Sequence, residues 1–380
     1  MVEANALPAS ERPRVLFDMT FAAKSLTGTR VFAQNLFDAL CAQNGYAMRA
    51  VNANAITRAE RSGNLWTGLQ NVWWLQNGLP RAVRDQHAAL LHIGAYLGPR
   101  RAACPVIVNV LDTTYLEFPD DFDWKWRLYA RLWIPPALEN AAALVTLSEH
   151  ARGEIARRYR VARAKIHVVY PGIASEFHPT ADARTIAGMR ARYALPDEYI
   201  LFVGAQETRK NIPALLRAFH LARAEFPNLA LALIGPRGGG SAEMARVLRA
   251  LNLARAVREL GYVPQSDLPA LYAGARAFVY ASKREGFGMP PVEAMACGAP
   301  VIAAPNPPLP EVLSDAAYFA RDDTPAALAQ AIGHVLRDDA LAQLLRAKGR
   351  ARAREFTWAR AARATMQIYA DVLRATLQAP

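Results

Sequence analysis

Cysteine is scarce in this 380-residue chain. There are three, Cys41, Cys104 and Cys297, far apart and odd in number. They fit neither a disulfide framework nor metal-ligand spacing, so a reducing cytoplasm is the expected location. No apolar run reaches 18 residues, so no membrane-spanning helix is expected. The polar, Pro/Ala-rich start from Met1 to Arg14 lacks the apolar core of a secretory leader. Internal repeats and low-complexity segments are missing. So is any block of five or six like charges, although the net charge is +12. That charge is compatible with nucleic acid, anionic lipid or phosphorylated ligands. The basic residues are dispersed singly, as along 151–158, and read as a solvated face. Of the 45 Lys and Arg residues only six are lysine, so the pair Arg209-Lys210 stands out.

What the chain does have is alternation. Short apolar runs at 14–18, 105–110, 143–147, 166–170, 199–203, 229–234, 277–280 and 299–303 are separated in many places by stretches of helical period. Runs apolar on both faces that alternate with helices predict parallel sheets covered on both sides. The length suits two domains. A proline-marked break at 170–179 ends the first series. The expectation is α/β: two Rossmann-like, doubly wound parallel-sheet domains facing across a cleft. The first would span 14–178 and be completed by an amphipathic C-terminal helix at 358–376, with Thr357 as its N-cap. The second would span 179–357.

Ligands of open parallel sheets bind beyond the C-terminal ends of the strands. Gly28, Asp112, Gly204 through Lys210, Gly235 and Glu285 all follow strand-like runs. Most telling is Glu285-Gly-Phe-Gly-Met-Pro-Pro-Val-Glu293, which runs from the loop after a strand into a helix. Glycines at a helix N-terminus let backbone N–H groups point at an anion. Acidic side chains beside such a site would repel phosphate, but they suit sugar hydroxyls, since a carboxylate accepts two hydrogen bonds from a diol. Two polyols joined by phosphate describe a nucleotide sugar. Read separately, Glu293 would be a carboxylate favouring the helix dipole.

These residues resemble the retaining glycosyltransferases of family 4, with the two-domain GT-B fold, and bacterial polysaccharide mannosyl- and hexosyltransferases among them. The resemblance covers nearly the whole chain. Its strongest element is the paired-glutamate motif with the following Ala294-Met-Ala-Cys-Gly-Ala-Pro-Val301. Then come Val203-Gly-Ala-Gln-Glu-Thr-Arg-Lys-Asn211 and Gly261-Tyr-Val-Pro-Gln-Ser-Asp-Leu268. Leu309-Pro-Glu-Val312, Leu147-Ser-Glu149 and Thr27-Gly-Thr-Arg30 add support.

The resemblance implies that Arg209 and Lys210 bind the donor diphosphate and stabilise the leaving group. Glu285 would contact the transferred sugar, and the backbone amides of Gly286, Phe287, Gly288 and Met289 would hold sugar hydroxyl and phosphate oxygens. Glu293 would hold the ribose and Val263 would meet the base. Gly204 belongs to the donor-binding loop, and Gly28 would face the diphosphate from the first domain. Where many relatives carry His-Asp, this chain has Leu111-Asp112. Asp112 and His92 are the acceptor-side candidates, although for His92 a buried structural role fits better. Lys283-Arg284 would be either extra phosphate contacts or solvated loop charges.

The implied activity is transfer of a hexose from GDP-mannose or a UDP-hexose to a saccharide or lipid-linked saccharide in cell-surface polysaccharide synthesis. The implied route is front-side displacement, with no metal and no cofactor. Asp121-Phe-Asp123 has the letters of a metal-binding pair but reads as a helix-capping loop. Two alternatives stay open: a sugar-nucleotide epimerase on the same fold and, from charge alone, a nucleic-acid-binding protein. No aromatic RNA-reading motif supports the latter, so nucleic acid is not expected as a partner. Trp66, Trp73, Trp74, Trp124, Trp126 and Trp133 lie in the first half, and Trp124-Lys-Trp-Arg127 with Arg131 mixes aromatic and basic residues. Such a surface suits peripheral contact with the anionic inner face of the plasma membrane. Core or interdomain tryptophans are the competing reading.

Overall fold

The computed structural model describes residues 11–20, 28–52, 70–179 and 182–378. Trp66 and Thr27 lie outside them. The chain divides into two compact units. One comprises Met1–Thr113, Trp124–Gly172 and Thr357–Pro380, the other Thr114–Asp123 and Ile173–Phe356. The boundary thus falls at Gly172–Ile173, six residues before the expected one. The sequence also hid the excursion of Thr114–Asp123 into the second unit.

The first unit holds a parallel sheet of β1 (Arg14–Asp18), β2 (Ala47–Val51), β3 (Leu90–Ile93), β4 (Val106–Asn109), β5 (Ala143–Thr146) and β6 (Ile166–Val168), in the order β2-β1-β3-β4-β5-β6. Of the interior strands, β3, β4 and β5 are buried along their whole length and β1 from Val15 onward, although no expected run marked β3. β2 is an edge strand with exposed Arg49 and Ala50, which is why no apolar run marks it.

The helix Gly28–Ala42 packs against the C-terminal helix Trp358–Gln378, and the rings of Phe32 and Trp358 lie 5.8 Å apart. Thr357 Oγ1 accepts the Arg360 N–H at 3.2 Å, the capping bond expected there. On the helix Trp124–Asn140, the exposed residues Trp124, Leu128 and Leu132 recur every fourth position and share a face. Trp73 is also exposed, whereas Trp74 is buried. Trp126 contacts the rings of Tyr96 and Tyr129.

The second unit holds β7 (Tyr199–Val203), β8 (Ala230–Ile234), β9 (Val257–Gly261), β10 (Ala277–Tyr280), β11 (Val301–Ala303) and β12 (Tyr318–Phe319), in the order β12-β11-β10-β7-β8-β9. All neighbouring pairs are parallel. This is the doubly wound dinucleotide-binding order, and its switch point lies between β7 and β10. The first sheet has the related order with its switch between β1 and β3. Edge strand β9 carries Arg258 and Glu259, so it too escaped the search for apolar runs. Among the described residues no helix is long and apolar enough to cross a membrane.

Candidate functional site

The loops after β7 and β10 meet at the switch point of the second sheet. After β7 the chain passes Gly204 and closes a single 3₁₀ turn, Thr208–Lys210. β8 is followed by Gly235, where a Cβ would stand 2.0 Å from the Gly204 carbonyl oxygen, so this close approach of two backbones requires glycine. The loop after β10 is tied to the turn by a backbone bond from Lys283 N–H to the Arg209 carbonyl, 2.8 Å.

That tie brings three expected site residues together. Lys210 Nζ lies 2.6 Å from Glu285 Oε1, and Arg209 Nη1 lies 2.7 Å from Oε2. Tyr280, the last residue of β10, donates its hydroxyl to Oε1 at 2.8 Å and accepts from Lys210 Nζ at 2.7 Å. Lys210 and Glu285 are both buried. Burial would push the Glu285 carboxyl up, but the charges of Arg209 and Lys210 overcome it and hold it down at about 2. Burial, with the Arg209 charge, lowers Lys210, and Glu285 opposes that shift. Burial and the Glu285 charge keep the Tyr280 phenol protonated, so it remains a donor. The cluster is an anion held between two cations and a phenol. A carboxyl ionised down to about pH 2 accepts hydrogen bonds well but is a poor general base.

Beyond it, Gly286-Phe-Gly288 leads into the helix Met289–Ala296. Gly288 has φ 95°, and a Cβ there would meet Leu309 Cδ2 at 2.8 Å, so conformation and space both demand glycine. The Phe287 ring is buried edge-on against Phe356, 5.3 Å between centroids, which leaves only its backbone for a ligand. Glu293 is half-buried on the second turn of the helix, and Tyr272 donates to its Oε2 at 3.1 Å. Burial pushes this carboxyl up to about 7, with Tyr272 opposing and the Glu176 charge adding. The two glutamates of one motif therefore differ: Glu285 is firmly ionised and Glu293 titrates near neutrality. Val263 is buried just after β9, beside the exposed Tyr262.

Three expected site residues belong to the first unit. Gly28 is exposed at the start of its helix, with open space where a Cβ would stand. Asp112 is half-buried after β4 and accepts the Tyr96 hydroxyl at 3.4 Å. His92 is not an acceptor contact. It is wholly buried in β3, with Nε2 2.7 Å from Asn109 Oδ1 and Nδ1 2.6 Å from the Tyr369 hydroxyl. The Asn109 oxygen requires the proton on Nε2, so Nδ1 accepts from Tyr369. Burial lowers the imidazole to about 4, against the raising effect of the Asn109 bond, and the ring is neutral. His92 ties the C-terminal helix to the sheet.

The loop Asp121-Phe-Asp123 directly precedes the helix Trp124–Asn140, and Asp121 also reaches beyond it. Its carboxylate accepts the backbone N–H groups of Thr208 and Arg209, at 2.8 and 3.1 Å. Arg284 is neither a free phosphate ligand nor a solvated charge, because it forks Glu117 at 2.7 and 2.8 Å. Lys283 is exposed. Sequence reasoning missed Tyr280, Tyr272, Glu117 and Asp121 as parts of the site. Tyr280 was detectable as the last residue of a strand whose C-terminal end faces the site. Among the described residues no group of three His, Cys, Asp or Glu side chains is placed to hold a metal ion.

Residues 31–177 match Glycosyltransferase Family 4, and residues 190–352 match Glycosyl transferases group 1. The O-antigen chain mannosyltransferase B of Escherichia coli is 34% identical over 292 residues, covering 76% of this chain and 76% of that protein. Among solved structures, the sucrose-phosphate synthase of Thermosynechococcus elongatus superposes with a TM-score of 0.76 at 20% identity, over 96% of this chain and 100% of the other. The Anabaena protein HepE, in complex with UDP and glucose, superposes with a TM-score of 0.71 at 16% identity, over 94% and 100%. At these identities the structural likenesses establish the fold.

Proposed function

The chain belongs to glycosyltransferase family 4, and from that premise we propose that it transfers a hexose, with retention, from a nucleotide sugar to a saccharide or lipid-linked saccharide in cell-surface polysaccharide synthesis. GDP-mannose is the first candidate donor and a UDP-hexose the second. The mannosyltransferase named for the 34% identical relative favours mannose.

The observation that carries this reading is the Arg209–Lys210–Glu285 cluster at the switch point of the second sheet. Two cations held in place, one of them buried, suit a diphosphate that gains charge as the glycosidic bond breaks. The donor diphosphate would take over Arg209 and Lys210, releasing Glu285 to grip hydroxyls of the transferred sugar. The amides of 286–289 would complete the phosphate and sugar contacts, and Glu293 would hold the ribose. With Glu285 occupied by sugar hydroxyls, front-side displacement suits the site better than covalent attack or base catalysis: the leaving phosphate takes the acceptor proton. Since the two cations carry the leaving-group charge, neither metal nor cofactor is required.

For the acceptor side, the exposed stripe Trp124, Leu128 and Leu132 lies beside the exposed Lys125 and Arg131. It supports peripheral contact with an anionic membrane bearing a lipid-linked acceptor.

A donor screen tests the reading. Thermal shift with GDP, UDP, dTDP and ADP should single out one base, because a ligand at about a thousandfold over its Kd stabilises by about 4 kcal/mol. Nucleotide release from the matching sugar should then require an acceptor. No stabilisation by any nucleotide would overturn the reading, and an epimerised nucleotide sugar formed without acceptor would replace it.

A further inference from the structure

The segment Thr114–Asp123 packs within the second unit, although the chain on either side of it belongs to the first. It grips both charged loops of the candidate site. Asp121 takes the Thr208 N–H on Oδ1 and the Arg209 N–H on Oδ2. These are the opening N–H groups of the 3₁₀ turn Thr208–Lys210, which lack a carbonyl partner in the turn; the Lys210 N–H already reaches the Glu207 carbonyl at 3.0 Å. Glu117, on the same segment, accepts both arms of the Arg284 fork, and Arg284 directly precedes Glu285.

Space for Asp121 is provided by Gly239. A Cβ at that position would come 3.0 Å from Asp121 Oδ1 and 3.3 Å from the Asp120 carbonyl oxygen. The glycine is therefore matched to the carboxylate it accommodates.

We propose that Asp121, supported by Glu117, is a positioning residue for sugar transfer: it fixes the Thr208–Lys210 turn so that Arg209 and Lys210 point at Glu285 and, in its place, at the donor diphosphate. This rests on the donor reading given above. A charge-assisted bond to each of two successive amides fixes the turn's orientation as well as its position. Leaving-group stabilisation depends on that geometry, and a displacement of about 1 Å can cost about a hundredfold in rate. The first carboxylate of the Asp-Phe-Asp sequence, Asp121, is thus engaged by protein amides.

The test compares Asp121→Ala, Asp121→Asn and Gly239→Val in the full-length protein. Asp121→Ala should lower kcat about tenfold or more while the donor KM changes less than about threefold, the signature of lost positioning rather than lost binding. Asp121→Asn, which keeps one acceptor oxygen, should recover much of the rate. Gly239→Val, which displaces Asp121 without altering it, should repeat the loss. Hydrogen exchange over residues 204–212, measured without any donor, should quicken in Asp121→Ala and Gly239→Val alone. Unchanged exchange in Asp121→Ala would overturn the clamp whatever the activity, and so would a wild-type kcat in that variant. Wild-type protein that transfers from no nucleotide sugar, with exchange behaving as expected, would overturn the donor reading instead.

Discussion

Lys210 Nζ stands 2.6 Å from Glu285 Oε1, and both side chains are buried. A buried charge without a partner is costly, so such a pair is most useful where a ligand can replace one member. A diphosphate can replace the carboxylate, and a sugar hydroxyl can then use the carboxylate it displaces.

Lys210→Ala should lower turnover about a hundredfold or more, the scale of losing one group that stabilises developing charge. Arg209 remains beside Glu285 in this variant, so the fold should persist. Steady-state kinetics alongside a melting curve checks both parts, and wild-type turnover would remove Lys210 from the chemistry.

Transfer should continue in excess EDTA. Complete loss, restored by manganese, would mean that a metal and not the Arg209–Lys210 pair carries the leaving-group charge.

Glu293 titrates near neutrality because burial pushes it up to about 7. If its carboxylate accepts from ribose hydroxyls, nucleotide binding selects the ionised form and releases a proton. Affinity should then rise about tenfold between pH 6 and pH 8 and level off. Calorimetry across that range, with Glu293→Gln as the flat control, checks it; identical pH profiles would exclude Glu293 from the ribose contact.

His92 gives a stability prediction of the opposite kind. Its imidazole is held down at about 4, below its ordinary 6.5. The unfolded chain therefore binds the extra proton first. The neutral-His contribution is complete above about pH 6.5 and is lost as pH falls toward 4, by about 3 kcal/mol. Chemical denaturation should show this acid slope in the wild type and a shallower one in His92→Gln. Equal slopes would mean that the ring is protonated within the fold.

Much of this site was legible in the sequence because its chemistry is local. Glu285 to Glu293 is one contiguous run joining a strand end to a helix, and Arg209-Lys210 follows another strand end, so the parallel-sheet rule alone places both at the same edge. The partners that tune them were not legible. Tyr280 looks like any buried strand residue, and Tyr272 like any core residue of a short helix. Asp121 and Glu117 reach the site from 87 and 167 residues away, on a segment without periodicity. The opposite shifts of the two glutamates also had no sequence signal: they depend on which one faces two cations and which is buried with a phenol near the Glu176 charge. Edge strands β2 and β9 were missed because their exposed charged residues break the apolar runs that mark interior strands.

The most direct test of the exchange between Glu285 and the donor diphosphate is to measure nucleoside diphosphate affinity and turnover together in Glu285→Gln. Neutralising Glu285 removes the carboxylate that competes with phosphate for Arg209 and Lys210, so affinity should be unchanged or higher while turnover falls about a hundredfold. A parallel loss of affinity and turnover would contradict it, making Glu285 a structural counter-ion that the donor never displaces.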